Sequence, residues 1–287
     1  MKSVSSDLKR LLLILFCVAS SGFADTQTDV EYARVDDLPL LLDLHRPSGV
    51  KHPPLIVYVH GGAWRAGSKS DVPIADLLEH GFAIASVDYR LSTQARFPAQ
   101  IHDIKAAIRF LRSKASLFDL DAERIAIIGS SAGGHLAALV GVTNGHKALE
   151  GRVGDHLDQS SDVAAIVSFY GASNLQSILG QSTEFGLTMR IPALKLLLGD
   201  LPEKVPSLAK FASPVAHLDQ ADPPLLLLHG DADPQMPPAQ SVELAKAYKA
   251  QVKLITLLGS KHGGPEFYEK GRLKVVAAFL RQALSLR

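Results

Sequence analysis

The sequence has little of several things that would point to particular functions. Its 287 residues include one cysteine, Cys17, and one tryptophan. A single cysteine excludes a disulfide framework and a cysteine-based zinc or iron–sulfur site. No His-Glu-x-x-His or comparable ligand pattern occurs, so neither a metal nor another cofactor is expected. There is no basic run and the net charge is +1, so no nucleic acid is expected as partner. Aromatic residues make up 6%, a modest share. No apolar run reaches the ~20 residues of a membrane-spanning helix. Repeats, low-complexity segments and long linkers are also missing. What is present is ordinary for a folded soluble protein: 47% apolar and 21% charged residues. The length suits one large α/β domain or two small ones.

The first 24 residues stand apart. Lys2, Lys9 and Arg10 are followed by the apolar run Leu11–Ala19, and then by small residues at Gly22 and Ala24. This is the three-part layout of a secretory signal peptide, with cleavage expected after Ala24. Residues 25–287 are then expected to form the mature domain, in a secreted or periplasmic location and with no membrane contact after cleavage. Lipidation at Cys17 is disfavoured by the bulky Phe16 before it.

Strand-like stretches lie at Val30–Val35 and Leu38–His45, and then at Leu55–Val59, Phe82–Val87, Ile125–Ile128, Val163–Phe169, Leu225–Leu228 and Val252–Leu257. Several are continuously apolar, as in strands buried on both faces. Ala99–Ala115 carries Ile101, Ile104, Ile108 and Leu111 at helical spacing. Further helical segments are read at 134–142, 191–198, 238–250 and 266–284. Alternating strands and helices predict a mostly parallel sheet covered on both faces, with an antiparallel start. The stretch 171–222 has no strong strand and reads as an insertion over the sheet's C-terminal edge, where such folds place their sites.

Gly129-Ser130-Ser131-Ala132-Gly133 matches Gly-x-Ser-x-Gly between a strand and a helix. In that context the pattern is a nucleophile elbow: a strained turn lifts the hydroxyl of Ser131 above the sheet. The alternative is a plain structural turn. His60-Gly61-Gly62-Ala63-Trp64 follows another strand. The amides of Gly62 and Ala63, with that of Ala132, are the expected oxyanion hole. His60 is read as holding this loop in shape, and Trp64 as either a loop anchor or a pocket wall. A serine nucleophile needs a base, and the base needs a carboxylate to orient it. In chain order the acid follows the serine and the histidine comes last. Asp231 and Asp233 both qualify as the acid, and His262, in a glycine-flanked loop, is the best base. The histidines at 45, 80, 102, 135, 146, 156 and 217 are read as surface or satisfied polar groups.

Four strings carry a family resemblance: His60-Gly-Gly-Ala-Trp-Arg-Ala-Gly-Ser-Lys69, Val87-Asp-Tyr-Arg-Leu91, Phe97-Pro-Ala-Gln-Ile-His-Asp-Ile-Lys105 and Gly129-Ser-Ser-Ala-Gly-Gly134. The sequence resembles α/β-hydrolase esterases of the hormone-sensitive-lipase-related group, especially bacterial bifunctional feruloyl/acetyl-xylan esterase-like proteins. The resemblance covers nearly all of residues 30–287 and is weakest in the insertion. It implies the α/β-hydrolase fold, and it favours Asp233 over Asp231, because Asp233-Pro-Gln-Met-Pro237 aligns with the family's acid motif. Met236 departs from the usual valine, and Ala63 replaces the third glycine of His-Gly-Gly-Gly. Asp88 and Arg90 are expected to be structural ion-pair partners beneath the site.

The expected protein is therefore an exported, secreted or periplasmic, serine carboxylesterase using Ser131, His262 and Asp233 on small ester substrates. Acetyl or feruloyl esters of plant polysaccharides, and hence acylated oligosaccharides, are the substrates the resemblance brings in. An arylformamidase or a peptidase would share the mechanism, and a non-catalytic binding domain would share only the fold. The export signal counts against the first, the chain length against the second, and the complete set of site residues against the third.

Overall fold

The computed structural model describes residues 25–286. The signal-peptide reading of residues 1–24 therefore lies outside the described residues. Eight strands make one sheet: β1 (Asp25–Val35), β2 (Leu38–Arg46), β3 (Pro54–Val59), β4 (Ala83–Val87), β5 (Asp121–Ser130), β6 (Ala165–Phe169), β7 (Leu225–Gly230) and β8 (Val252–Leu257). Their spatial order is β1-β2-β4-β3-β5-β6-β7-β8. The pairs β1/β2 and β2/β4 are antiparallel, and every later pair is parallel. This is the α/β-hydrolase fold. The apolar runs of β3, β4, β6 and β7 occupy the middle of the sheet, where both faces are covered, so alternation is not needed there.

The helices are α1 (Ala99–Ser113), α2 (Ala132–Gly141), α3 (Lys147–Glu150), α4 (Ile178–Gln181), α5 (Glu184–Leu198), α6 (Pro206–Phe211), α7 (Pro238–Ala247) and α8 (Lys270–Ala283). One apolar core packs α1, α2, α5 and α7 against one face of the sheet. A second packs α8 and the 3₁₀ turn Ala75–His80 against the other. Ile101, Ile104, Ile108 and Leu111 are all fully buried, as the spacing in α1 requires.

The insertion is helical. Thr183 caps α5, its hydroxyl accepting from the amide of Gly186 at 3.0 Å. The same hydroxyl donates to the carbonyl of Pro234 at 2.9 Å. At the far end, the amide of Phe97 donates to the carbonyl of Leu197 at 2.9 Å. α5 thus spans the C-terminal edge of the sheet with both ends tied to the main domain. Among the described residues, no helix is long and apolar enough to cross a membrane.

Candidate active site

Parallel register assembles the site. Val59 at the end of β3 pairs with Gly129, and Ser130 pairs with Phe169 of β6. The loop after β3 and the turn after β5 therefore lie side by side. Ser131 sits on that turn with φ 55° and ψ −116°, a backbone region that side chains other than glycine rarely occupy. Its amide donates to the carbonyl of Phe169 at 2.9 Å, and its carbonyl accepts from the amide of His135 at 3.0 Å. The flanking glycines are required by close approach. A Cβ on Gly129 would lie 2.1 Å from the carbonyl oxygen of Gly133, and one on Gly133 would lie 2.0 Å from that of Val59. Both obstacles are backbone atoms.

The structure brings Ser131, His262 and Asp233 into one hydrogen-bonded line. His262 Nε2 lies 2.8 Å from Ser131 Oγ, and Nδ1 lies 2.6 Å from Asp233 Oδ2. Because a carboxylate only accepts, Nδ1 carries the proton and Nε2 is left to accept from the serine hydroxyl. Asp233 Oδ1 accepts from the amides of Gln235 and Met236, at 2.8 and 2.9 Å. His229 Nε2 also lies 3.3 Å from Oδ2. Burial works against the charge on Asp233, but hydrogen bonds from His229, His262 and the Met236 amide outweigh it. They hold the carboxyl well below the usual carboxylate range. Asp231 has a different place. It is exposed, and its Oδ1 accepts from the amide of Gly259 at 2.7 Å, shaping the loop that leads to His262.

Gly62 and Ala63 line the same cavity as Ser131. They belong to a tight turn in which the carbonyl of Gly62 accepts from the amides of Arg65 and Ala66, both at 3.0 Å. Ala63 and Trp64 have φ of 52° and 60°. This strained turn is held from beneath. Trp64 is fully buried, its indole N–H donates to His135 Nδ1 at 3.1 Å, and its carbonyl accepts from the amide of Ser92 at 2.7 Å. Trp64 is thus a loop anchor and not a wall of the cavity. His60 donates from Nδ1 to the carbonyl of Gly61 at 2.8 Å and stacks on Tyr89. Burial pushes its pKa down. Ala132 opens α2, so its amide has no acceptor within the helix.

The cavity holds about 540 Å³. Several of its walls went unnoticed in the sequence. Ser130 Oγ lies 2.7 Å from the hydroxyl of Tyr268 and 3.2 Å from that of Tyr58, and the hydroxyls of Tyr170 and Tyr268 are in direct contact. Burial pushes all three phenols up, so they stay protonated at neutral pH. Arg65, Arg190 and Gln235 also line the cavity. The expected Asp88–Arg90 ion pair does not form. Arg90 pairs instead with the buried Asp103, with contacts of 2.6 and 2.8 Å, because α1 carries that carboxylate up to the end of β4. Asp88 accepts from the amide of Lys69 at 2.7 Å. Among the described residues, no group of three or more His, Cys, Asp or Glu is arranged to hold a metal ion.

Residues 42–248, well over half of the chain, match the BD-FAE family. The chain belongs to that family. This BD-FAE chain is 31% identical over 237 residues to Esterase LipC of Mycobacterium tuberculosis, an alignment covering 79% of this chain and 58% of LipC. It therefore spans little more than half the length of that relative. Among solved structures, a truncated carbohydrate esterase from gut microbiota superposes with a TM-score of 0.84 at 31% identity, covering 93% of this chain and 99% of the other. A bifunctional GH43-CE protein of Bacteroides eggerthii gives 0.82 at 33% identity, covering 90% of this chain and 35% of the other. The BD-FAE match begins inside β2 and ends just after α7, so it takes in Ser131 and Asp233 but stops short of His262.

Proposed function

We propose that this BD-FAE protein is an exported serine carboxylesterase for short-chain esters, with acetyl or feruloyl groups on plant polysaccharides as its natural class. Ser131 Oγ attacks the ester carbonyl carbon while His262 Nε2 takes its proton. Asp233 receives the Nδ1–H bond, fixes the ring orientation and stabilises the imidazolium. The amides of Gly62, Ala63 and Ala132 bind the developing oxyanion. Collapse of the tetrahedral intermediate expels the alcohol, which His262 protonates. A water molecule, deprotonated by His262, then attacks the acyl-enzyme and releases the acid and Ser131.

The observation that carries this reading is the unbroken line Asp233–His262–Ser131, at 2.6 and 2.8 Å, opening onto a cavity beside the Gly62–Ala63 turn. Relatives named as esterases support the ester bond as target, and a structural neighbour named as a carbohydrate esterase supports a saccharide ester. The layout of residues 1–24 supports export. The test is labelling with a fluorophosphonate followed by peptide mapping. Ser131 should be the labelled residue, and Ser131→Ala should lower kcat by about 10³-fold or more. Labelling elsewhere, or ordinary turnover by the alanine variant, would overturn the assignment.

A further inference from the structure

One charged group in the cavity has no role in the chemistry above. Arg190, on α5, is 2% exposed and lines the cavity together with Ser131 and His262. Its Nε and Nη1 are buried without a hydrogen-bond partner, and it forms no ion pair among the described residues. The two other buried cations among the described residues, Lys105 and Arg109, are both paired with Glu150. A buried guanidinium without a counter-charge is a large penalty on folding. The ring of Trp64, 5.9 Å from the guanidinium carbon, offsets only part of it. Burial lowers the Arg190 pKa to about 10, which still leaves it charged at neutral pH.

The surrounding charges leave this cation open. Asp233 acts on Arg190 from a distance, but its oxygens are taken by His262 and two amides. Arg65 adds positive charge on the same part of the cavity. The acid in the cavity lining, Asp71, is exposed and acts on Tyr58, Tyr170 and His60. The cavity is therefore polarised, with guanidinium groups in one part and phenols with a carboxylate in another. A guanidinium offers a planar fork of donors that matches a carboxylate.

We propose that Arg190, supported by Arg65, is an anion-binding subsite that takes a free carboxylate of the substrate, so that the preferred esters carry an acid group. The inference rests on the esterase reading above and narrows its substrate class. The acid group sits either in the acyl part, as in a half-ester of a dicarboxylic acid, or in the alcohol part, as in an acylated acidic sugar.

Two substrate pairs separate these sources. The acyl pair is p-nitrophenyl hydrogen succinate against p-nitrophenyl methyl succinate. The alcohol pair is 4-acetoxybenzoate against its methyl ester. The wild-type enzyme should prefer the acid in one pair by about tenfold or more in kcat/KM, the scale of a charge-assisted hydrogen bond. Arg190→Gln should bring that ratio close to one, and Arg190→Lys should keep part of it. Calorimetric titration with sodium succinate and sodium benzoate gives a readout independent of turnover. Binding should be seen with the wild-type enzyme and lost in Arg190→Gln, whose melting temperature should equal or exceed that of the wild type. No preference for the acid in either pair, or a preference unchanged in Arg190→Gln, would overturn the subsite while neutral esters are still hydrolysed. If no ester is hydrolysed, the esterase reading fails and the titration alone decides the subsite. A lower melting temperature with an unchanged ratio would make Arg190 a structural residue. Binding of inorganic phosphate in place of both carboxylates would overturn the carboxylate class.

Discussion

Trp64 and His135 meet edge to face inside the core, with the indole N–H 3.1 Å from the imidazole Nδ1. An indole nitrogen only donates, so Nδ1 must be bare. On the other side of the ring, Nε2–H donates to the carbonyl of Ala212 at 2.7 Å. The pair fixes one neutral tautomer of His135 and, through it, the turn carrying Gly62 and Ala63.

This arrangement makes stability depend on pH. Burial lowers the His135 pKa from 6.5 to about 4. The unfolded chain therefore binds a proton that the folded chain refuses as pH falls below 6.5. The stability linked to His135 is complete above pH 6.5 and is lost progressively as pH drops toward 4. The full shift corresponds to roughly 3 kcal/mol. Urea unfolding at pH 7 and at pH 5 should show the loss in the wild-type enzyme and a weaker one in His135→Gln. Equal pH dependence in the two proteins would contradict the assignment.

The two acid candidates should behave differently. In Asp233→Asn, the side-chain oxygen is drawn to the amides of Gln235 and Met236, which leaves the NH₂ facing His262. The imidazole must then accept at Nδ1 and carry its proton on Nε2, where it cannot take the proton of Ser131. The expected loss in kcat is on the order of 10⁴-fold, with the fold retained. Asp231→Asn keeps an oxygen for the amide of Gly259 and should change stability by less than about 0.5 kcal/mol. Steady-state kinetics of the two variants on p-nitrophenyl acetate check the ranking, and the reverse order would move the acid to Asp231.

For uncharged esters, acyl length should matter sharply. α5 crosses the edge of the sheet, and the cavity holds about 540 Å³. Each methylene that fits a pocket contributes ~1–3 kcal/mol, and each that does not fit forfeits it. p-Nitrophenyl acetate to butyrate should give the highest kcat/KM in the neutral series, with a steep fall beyond about eight carbons. A preference for p-nitrophenyl palmitate would show instead that the insertion opens for long chains.

The sheet was legible because its middle strands are unbroken apolar runs, and α1 because Ile101, Ile104, Ile108 and Leu111 keep a helical period. The ends of β5, β7 and β8 point to Ser131, to the acid candidates Asp231 and Asp233, and to His262, and the family resemblance selects Asp233 between the two acids. The cavity walls were not legible. Tyr58, Tyr170 and Tyr268 come from three distant segments: the register of β3, β5 and β6 sets Tyr58 and Tyr170 near Ser130, and the turn before α8 brings Tyr268 to it. Arg190 lies just before the helix read at 191–198 and carries no signal in the sequence, whereas α5 takes it in. The start of α5 was hidden because Gly186 and Pro192 interrupt a helical pattern, although Thr183 in fact caps it. Arg90 was assigned to its neighbour in sequence, Asp88, whereas Asp103 reaches it from a helix.

The bond from Thr183 to Pro234 joins the insertion to the loop that holds Asp233. Gly186 packs into the same seam, where an added Cβ would lie 3.0 Å from the Pro234 carbonyl oxygen. The cover of the cavity and the bearing of the catalytic carboxylate thus share one hinge pin. Anyone grafting a different cover onto this scaffold to change its substrates would have to transplant the strips around 183–186 and 233–236 as a matched set. A cover exchanged alone would arrive with the acid loop out of alignment.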